Sequence, residues 1–234
     1  MIIKKFTITP FQQNTRVVVC EDTGKAICID PGEKSEAIIN FIKENDYVLQ
    51  AITLTHGHLD HAGGTLDLHK AFPDAEILLH TDDEDLYYNL PKQPLAMGIP
   101  PEQLKPLGFD YENPPKVTRN WKHGEVYPVG NLRFEILHCP GHTPGHIVMA
   151  EKTHRKVFVG DCLFQGSVGR SDLPGGSHEQ LMDSINNNII TLGDDFTVYS
   201  GHGPETTIGR EKKTNPFLTG AYDASRGRFI GHSR

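Results

Sequence analysis

The segment Val48-Leu49-Gln50-Ala51-Ile52-Thr53-Leu54 reads as an apolar strand and runs directly into Thr55-His56-Gly57-His58-Leu59-Asp60-His61. Four side chains of the kind that bind divalent metals, His56, His58, Asp60 and His61, therefore fall within six residues at a strand end. Zinc takes imidazole nitrogen and carboxylate oxygen from several points of a chain and keeps a position open when it is catalytic. Glycine at 57 is expected to let the backbone curl so that alternate side chains converge. Further ligand types stand at other expected strand ends: His142 in Pro140-Gly141-His142-Thr143-Pro144-Gly145-His146, Asp161 in Val159-Gly160-Asp161, and His202 in Gly201-His202-Gly203-Pro204. One buried histidine is most often a satisfied core residue. Four ligand types in HxHxDH order, with three more beside glycines, are read as a metal site.

The flanks supply the frame. Ile2 to Thr9, Arg16 to Cys20 and Ala26 to Ile29 are β-branched or alternating, with a hairpin turn at Glu21-Asp22-Thr23-Gly24. Ala37, Ile38, Phe41 and Ile42 carry helical spacing, Leu66 to Phe72 fits a helix and Glu76 to Leu79 a short strand. Thr81-Asp82-Asp83-Glu84 is expected to form a capping box. From Asn89 to Asn120 seven prolines (Pro91, Pro94, Pro100, Pro101, Pro106, Pro114, Pro115) interleave with Leu95, Met97, Ile99, Leu104, Leu107 and Phe109. Prolines interrupt regular elements, so 89–120 is read as a long, partly apolar excursion, an ordered lid or a subunit contact. Strands return at Glu125 to Val129, Leu132 to His138, His146 to Glu151 and Lys156 to Val159. Ser177-His178-Glu179-Gln180 then opens a helix carrying Leu181, Ile185, Ile189 and Ile190, and Thr197 to Tyr199 is a last strand. Two halves of strands followed by helices suggest two packed sheets with helices outside.

The 234 residues fit one sizeable domain, and 37% hydrophobic with 23% charged residues is an ordinary globular composition. A formal charge of −7 argues against nucleic acid as the main partner, although metals facing a phosphate would still allow an acidic nuclease. The first residues hold no signal-peptide core and no apolar stretch has membrane length, so no membrane association and a cytoplasmic location are expected. Cys20, Cys28, Cys139 and Cys162 follow no CxxC or disulfide spacing and are read as small buried hydrophobes with free thiols.

These motifs together resemble the metallo-β-lactamase fold superfamily, from Asp30-Pro31-Gly32 over almost the whole chain. More narrowly, Leu137 to His146, Gly160-Asp161-Cys162-Leu163-Phe164, Gly169-Arg170-Ser171-Asp172 and Gly203-Pro204-Glu205-Thr206-Thr207-Ile208-Gly209 resemble short stand-alone glyoxalase II-like hydrolases. The resemblance implies an α/β (α+β) fold, a four-layer αββα sandwich with two metals at one edge. On that basis residues 1–212 form the domain, including the excursion 89–120, and 213–234 are a short tail. By motif position His56, His58 and His142 would hold one ion, Asp60, His61 and His202 the second, and Asp161 would bridge them. Zinc is the first expectation, iron or manganese the alternatives. Thr55 and Asp30 are candidates for orienting the imidazoles.

Two divalent ions about 3.5–4 Å apart share a water and make it hydroxide near neutral pH. Asp60 is expected to orient it and later accept its proton. A thiol, with a pKa of about 8.5, leaves without a proton donor, whereas an amine needs one. No extra general acid stands out, which favours a thioester of the S-lactoylglutathione type, in line with hydroxyacylglutathione hydrolases. Full-length glyoxalase II enzymes carry a C-terminal helical domain that contributes to glutathione binding, whereas only a short tail, with Ser225-Arg226-Gly227-Arg228, follows His202 here. Either the excursion supplies that wall or the substrate differs. Arg170 is a candidate for holding a substrate carboxylate, with a structural pair to Asp172 as the other reading. The alternatives are a metallohydrolase of another ester or lactone, or a mononuclear iron persulfide dioxygenase using His56, His142 and Asp161. A non-catalytic scaffold fits poorly, because buried ligand groups without a metal are costly. The partner expected is a small-molecule thioester, with a homodimer through the excursion as a further expectation.

Overall fold

The computed structural model describes residues 1–33, 35–107, 111–223 and 228–229. Phe109 of the excursion and residues 224–227 and 230–234 of the expected tail, including Ser225 to Gly227, lie outside them. The first sheet runs in the order β1 (Ile2–Ile8), β2 (Gln13–Val19), β3 (Lys25–Ile29), β4 (Val48–Thr53), β5 (Glu76–Leu79), β6 (Arg119–Asn120). Its hairpin strands pair antiparallel, whereas β3 to β6 pair parallel. Helices α1 (Glu36–Glu44), α2 (Leu59–Ala62), α3 (Thr65–Ala71), α4 (Glu84–Tyr88), α5 (Gln93–Ala96) and α6 (Pro101–Leu107) lie between them in the chain. The second sheet contains β7 (Val126–Val129), β8 (Leu132–His138), β9 (Ile147–Glu151) and β10 (Lys156–Gly160). After a small hairpin of β11 (Leu163–Phe164) and β12 (Ser167–Val168) and helix α7 (His178–Ser184), β13 (Thr197–Ser200) and β14 (Thr206–Thr207) complete that sheet. Helix α8 (Ile208–Thr214) follows, then a short pair, β15 (Tyr222–Asp223) with β16 (Arg228–Phe229).

Period-two alternation builds the layers. Val18, Ile27, Ile29 and Ala51 point from the first sheet toward Phe134, Ile136, Met149 and Phe158 of the second, which makes the inter-sheet core. Their neighbours Val17, Val19, Cys28 and Ile52 point the other way, onto Ile38 and Ile42 of α1 and Leu68 of α3. Val148, Val157, Val159 and Val198 face outward from the second sheet onto Leu181 of α7, Ile185, Ile189 and Ile208 of α8. The result is the four-layer αββα sandwich. All four cysteines are buried and free, as expected of small apolar side chains.

Four readings change. The Thr81-Asp82-Asp83-Glu84 capping box does not form. Thr81–Asp83 is a single 3-10 turn capped by the His80 side chain, and Asp83 makes no cap bond to α4. Its carboxylate is taken by other loops instead. At Ser177 only the N-cap half of the box forms: its side chain accepts from Gln180 N–H, while its own N–H goes to the Gly141 carbonyl, and the helix continues past Ser184 as a π turn, Ile185–Ile189. The excursion, expected to be ordered but without regular elements, holds α5 and α6 and ends in β6 at the edge of the first sheet, with Leu95, Met97 and Leu107 exposed. Helix α8 crosses position 212, where the domain edge was expected, and Phe217 and Leu218 still pack with Val198, Leu181 and Ile208 on the outer face of the second sheet. No helix among the described residues is long and apolar enough to cross a membrane.

Candidate metal centre

The seven expected ligands converge at one edge of the sandwich because each follows the carboxyl end of a strand. His56 to His61 follow β4, His142 follows β8, Asp161 follows β10 and His202 follows β13. Potential donor atoms of His56, His58 and His142 all lie within 4.8 Å of one another, as do those of Asp60, His61 and His202, and those of His56, His61 and Asp161.

Neighbouring oxygens fix the imidazole tautomers. Thr55 hydroxyl donates to Asp30 Oδ2 at 2.7 Å, so its oxygen accepts from His56 Nδ1 at 3.0 Å. His61 Nδ1 lies 3.0 Å from Asp30 Oδ2, His142 Nδ1 is 2.7 Å from the Arg170 carbonyl, and His202 Nδ1 is 3.1 Å from the Phe11 carbonyl. An oxygen acceptor at each Nδ1 puts the proton there and turns the Nε2 lone pairs inward. His58 differs: its Nδ1 faces His142 Nε2 at 3.0 Å. Asp161 stands between the groups, with Oδ1 3.4 Å from His61 Nε2 and Oδ2 3.5 Å from His202 Nε2 and 3.8 Å from His142 Nε2. Asp60 Oδ2 is 3.2 Å from His202 Nε2.

Charge divides the site in two. Burial and then the neighbouring imidazoles push His56 well below its ordinary value, and burial with His142 pushes His58 down to about 3. Burial also opposes charge on His61, yet Asp161, Asp60 and Asp30 outweigh it and push His61 well up. His202 is raised against its burial by the Asp60 hydrogen bond and Asp161. Asp161 stays well below the carboxylate range despite full burial, because His61, His202 and His142 surround it.

A divalent ion fits this donor set. His56 Nε2 and Asp161 Oδ1 are buried without a hydrogen-bond partner, a state expensive for polar atoms unless something binds them. Imidazole and carboxylate donors without thiolates suit zinc, iron and manganese.

Several contributors are not visible as motifs. The Asn14 side chain donates to the Gly203 carbonyl at 2.8 Å and buried Arg16 to the Ser200 carbonyl at 2.8 Å, so β2 steadies the His202 loop. His146 stacks on His56 with centroids 4.9 Å apart and accepts the Asp161 N–H at 3.1 Å. The motif Pro140 to His146 contains His146, but its spacing alone assigns it no contact. Gly57 matters for space rather than for curl. A Cβ there would meet the Asp83 carbonyl at 3.0 Å. The Arg170 guanidinium is exposed and paired with Asp172 through two 2.8 Å bonds, whereas its carbonyl is the group that faces the site.

Compared with known proteins, the chain matches the Metallo-beta-lactamase superfamily over residues 8–202. It belongs to that superfamily. It is 40% identical over 218 residues to the hydroxyacylglutathione hydrolase GloC of Haemophilus influenzae, covering 93% of this chain and 98% of the relative. Among solved metallo-β-lactamase-fold structures, BLEG-1, a B3 metallo-beta-lactamase, superposes with a TM-score of 0.81 at 33% identity, covering 93% of this chain and 100% of that one. TTHA1623 in a di-iron-bound form gives 0.80 at 35%, covering 92% and 100%. This metallo-β-lactamase-fold chain is accordingly a metallo-hydrolase with a His/Asp centre suited to two divalent metals.

Proposed function

We propose that the chain hydrolyses a thioester, a hydroxyacylglutathione of the S-lactoylglutathione type, to the hydroxy acid and the thiol. The observation that carries the two-ion reading is Asp161, whose two carboxylate oxygens face both imidazole groups. The substrate class is supported by the name of the Haemophilus influenzae relative. His56, His58 and His142 would hold one ion, Asp60, His61 and His202 the other. Zinc is the first expectation, and the di-iron form of TTHA1623 makes iron the main alternative. When bound, two such ions supply Lewis acidity to a carbonyl oxygen and acidify a water.

The chain's own residues do the rest. Asp60 is held below the carboxylate range, against its burial, by His61 and His202, so it is an ionised acceptor that orients the attacking water. Asp30 and Thr55 hold the imidazoles of His61 and His56 from behind. The departing thiolate needs no proton donor. Gln93 ties the excursion to the His58 loop, accepting from Leu59 N–H at 2.9 Å and donating to the Gly57 carbonyl at 2.8 Å, which supports the excursion as a wall of the substrate cleft. A subunit contact through exposed Leu95, Met97 and Leu107 belongs to the same proposal, and molar mass by light scattering tests it.

Metal analysis of the purified protein, with S-lactoylglutathione hydrolysis and oxygen uptake on glutathione persulfide, tests the reading. Two ions per chain with hydrolysis is the expected result. One iron per chain with oxygen consumption overturns it. A two-ion protein that cleaves only other esters or lactones overturns the thioester assignment alone.

A further inference from the structure

Asp83 is not among the expected ligands, yet it is fully buried. Its Oδ2 accepts the Gly57 N–H at 2.9 Å and the Thr143 hydroxyl at 2.7 Å, and its Oδ1 accepts the Gly145 N–H at 2.6 Å. Gly57 separates His56 from His58, while Thr143 adjoins His142. The first loop leaves β4 of one sheet and the second leaves β8 of the other. One carboxylate thus joins the two loops that carry His56, His58 and His142.

The turn bearing Asp83 is itself anchored. A Cβ on Gly145 would meet Asp83 N at 2.6 Å, so glycine there admits the turn. The His80 ring stacks on His138 with centroids 4.1 Å apart and planes at 8°, and His138 Nε2 donates to the Pro144 carbonyl at 2.9 Å. Both ends of the turn therefore grip the second loop. Burial pushes the Asp83 carboxyl up, and its three donors and His142 oppose that shift.

We propose that Asp83 is a positioning residue whose carboxylate sets the approach of His58 to His142, and through it the affinity of the His56–His58–His142 group for its ion. The inference rests on the metal-binding part of that reading and not on the substrate. A carboxylate suits the task because it offers acceptors only. An amide of the same shape would turn one acceptor into a donor aimed at an N–H.

Cobalt(II) titration of the apo protein, followed by visible absorption and metal analysis, compares wild type with Asp83→Asn and Thr143→Val. The same variants are also made in a His202→Ala background, which disables only the second group. Asp83→Asn is expected to weaken one ion by about 10-fold or more while the other is unchanged, and to do the same to the ion retained beside His202→Ala. Thr143→Val, which removes one of the three donors, shifts affinity the same way by less and keeps the test valid if Asp83→Asn does not fold. Affinities unchanged in both variants overturn the proposal. So does a parallel loss at both ions with a fall in apo melting temperature, which is what a purely structural role gives. One ion in wild type overturns the two-ion reading alone, since the clamp is still read from that ion's affinity in the variants.

Discussion

Asp30 accepts both the backbone N–H and the hydroxyl of Thr55, each at 2.7 Å, and the hydroxyl so oriented receives His56 Nδ1 at 3.0 Å. The Oδ2 of the same carboxylate lies 3.0 Å from His61 Nδ1. Asp30 thereby holds one imidazole from each ligand group. Thr55→Val keeps the shape and removes the hydroxyl, and is expected to weaken ion binding by about 10- to 100-fold. Competition with a chromophoric chelator measures it, and an unchanged dissociation constant would count against this outer support.

Asp161→Ala is expected to lose metal together with activity, because its carboxylate faces both imidazole groups. Metal content per chain decides the point. A variant that keeps two ions refutes the bridging role.

Acidification is expected to empty the two groups in order. A raised imidazole keeps its proton to higher pH, and an ion must displace that proton to bind. His61 and His202 are raised, whereas His56 is lowered and His58 stays unprotonated down to about 3. Dialysis from about pH 8 to about pH 5 should therefore take the protein from two ions to one, with the Asp60–His61–His202 ion leaving first. Simultaneous loss of both contradicts the assignment. The Asp83 clamp acts on the opposite ion, so the two perturbations are separable.

Arg170 and Asp172 form an exposed bidentate pair, and such pairs add little to folding. Arg170→Ala and Asp172→Ala are expected to melt within a degree or two of wild type and to bind metal normally. If the guanidinium also meets a substrate carboxylate, KM rises in Arg170→Ala and not in Asp172→Ala. Equal kinetics in the two variants restrict Arg170 to its carbonyl contact with His142.

Gln93→Ala removes the side-chain partner of the Leu59 N–H and of the Gly57 and Leu86 carbonyls. Leaving such groups unpaired costs about 1–3 kcal/mol, read from the denaturant midpoint. Anchoring of the excursion predicts a larger change in KM than in kcat. No change in either separates the excursion from the substrate cleft.

Much of this was legible in the chain because its signals are local. Val17-Val18-Val19 and Ala26 to Ile29 are short continuous apolar runs, which fit strands covered on both faces, and the fold splits their side chains between two core layers. HxHxDH concentrates four donors at one strand end, and glycine-flanked His142, Asp161 and His202 announce the others. What tertiary structure decided is long-range. Asp83 reads locally as part of a capping box, but an N-cap offers it one N–H while the folded loops offer two N–H groups and a hydroxyl, and those win. Arg170 reads as a cation for substrate, yet its carbonyl faces the site because the chain after β12 passes His142. Donor identity is a property of residue type and survives in any sequence. Donor spacing, tautomer and charge depend on groups up to 191 residues apart, such as Phe11 and His202, and exist only once the two sheets have packed.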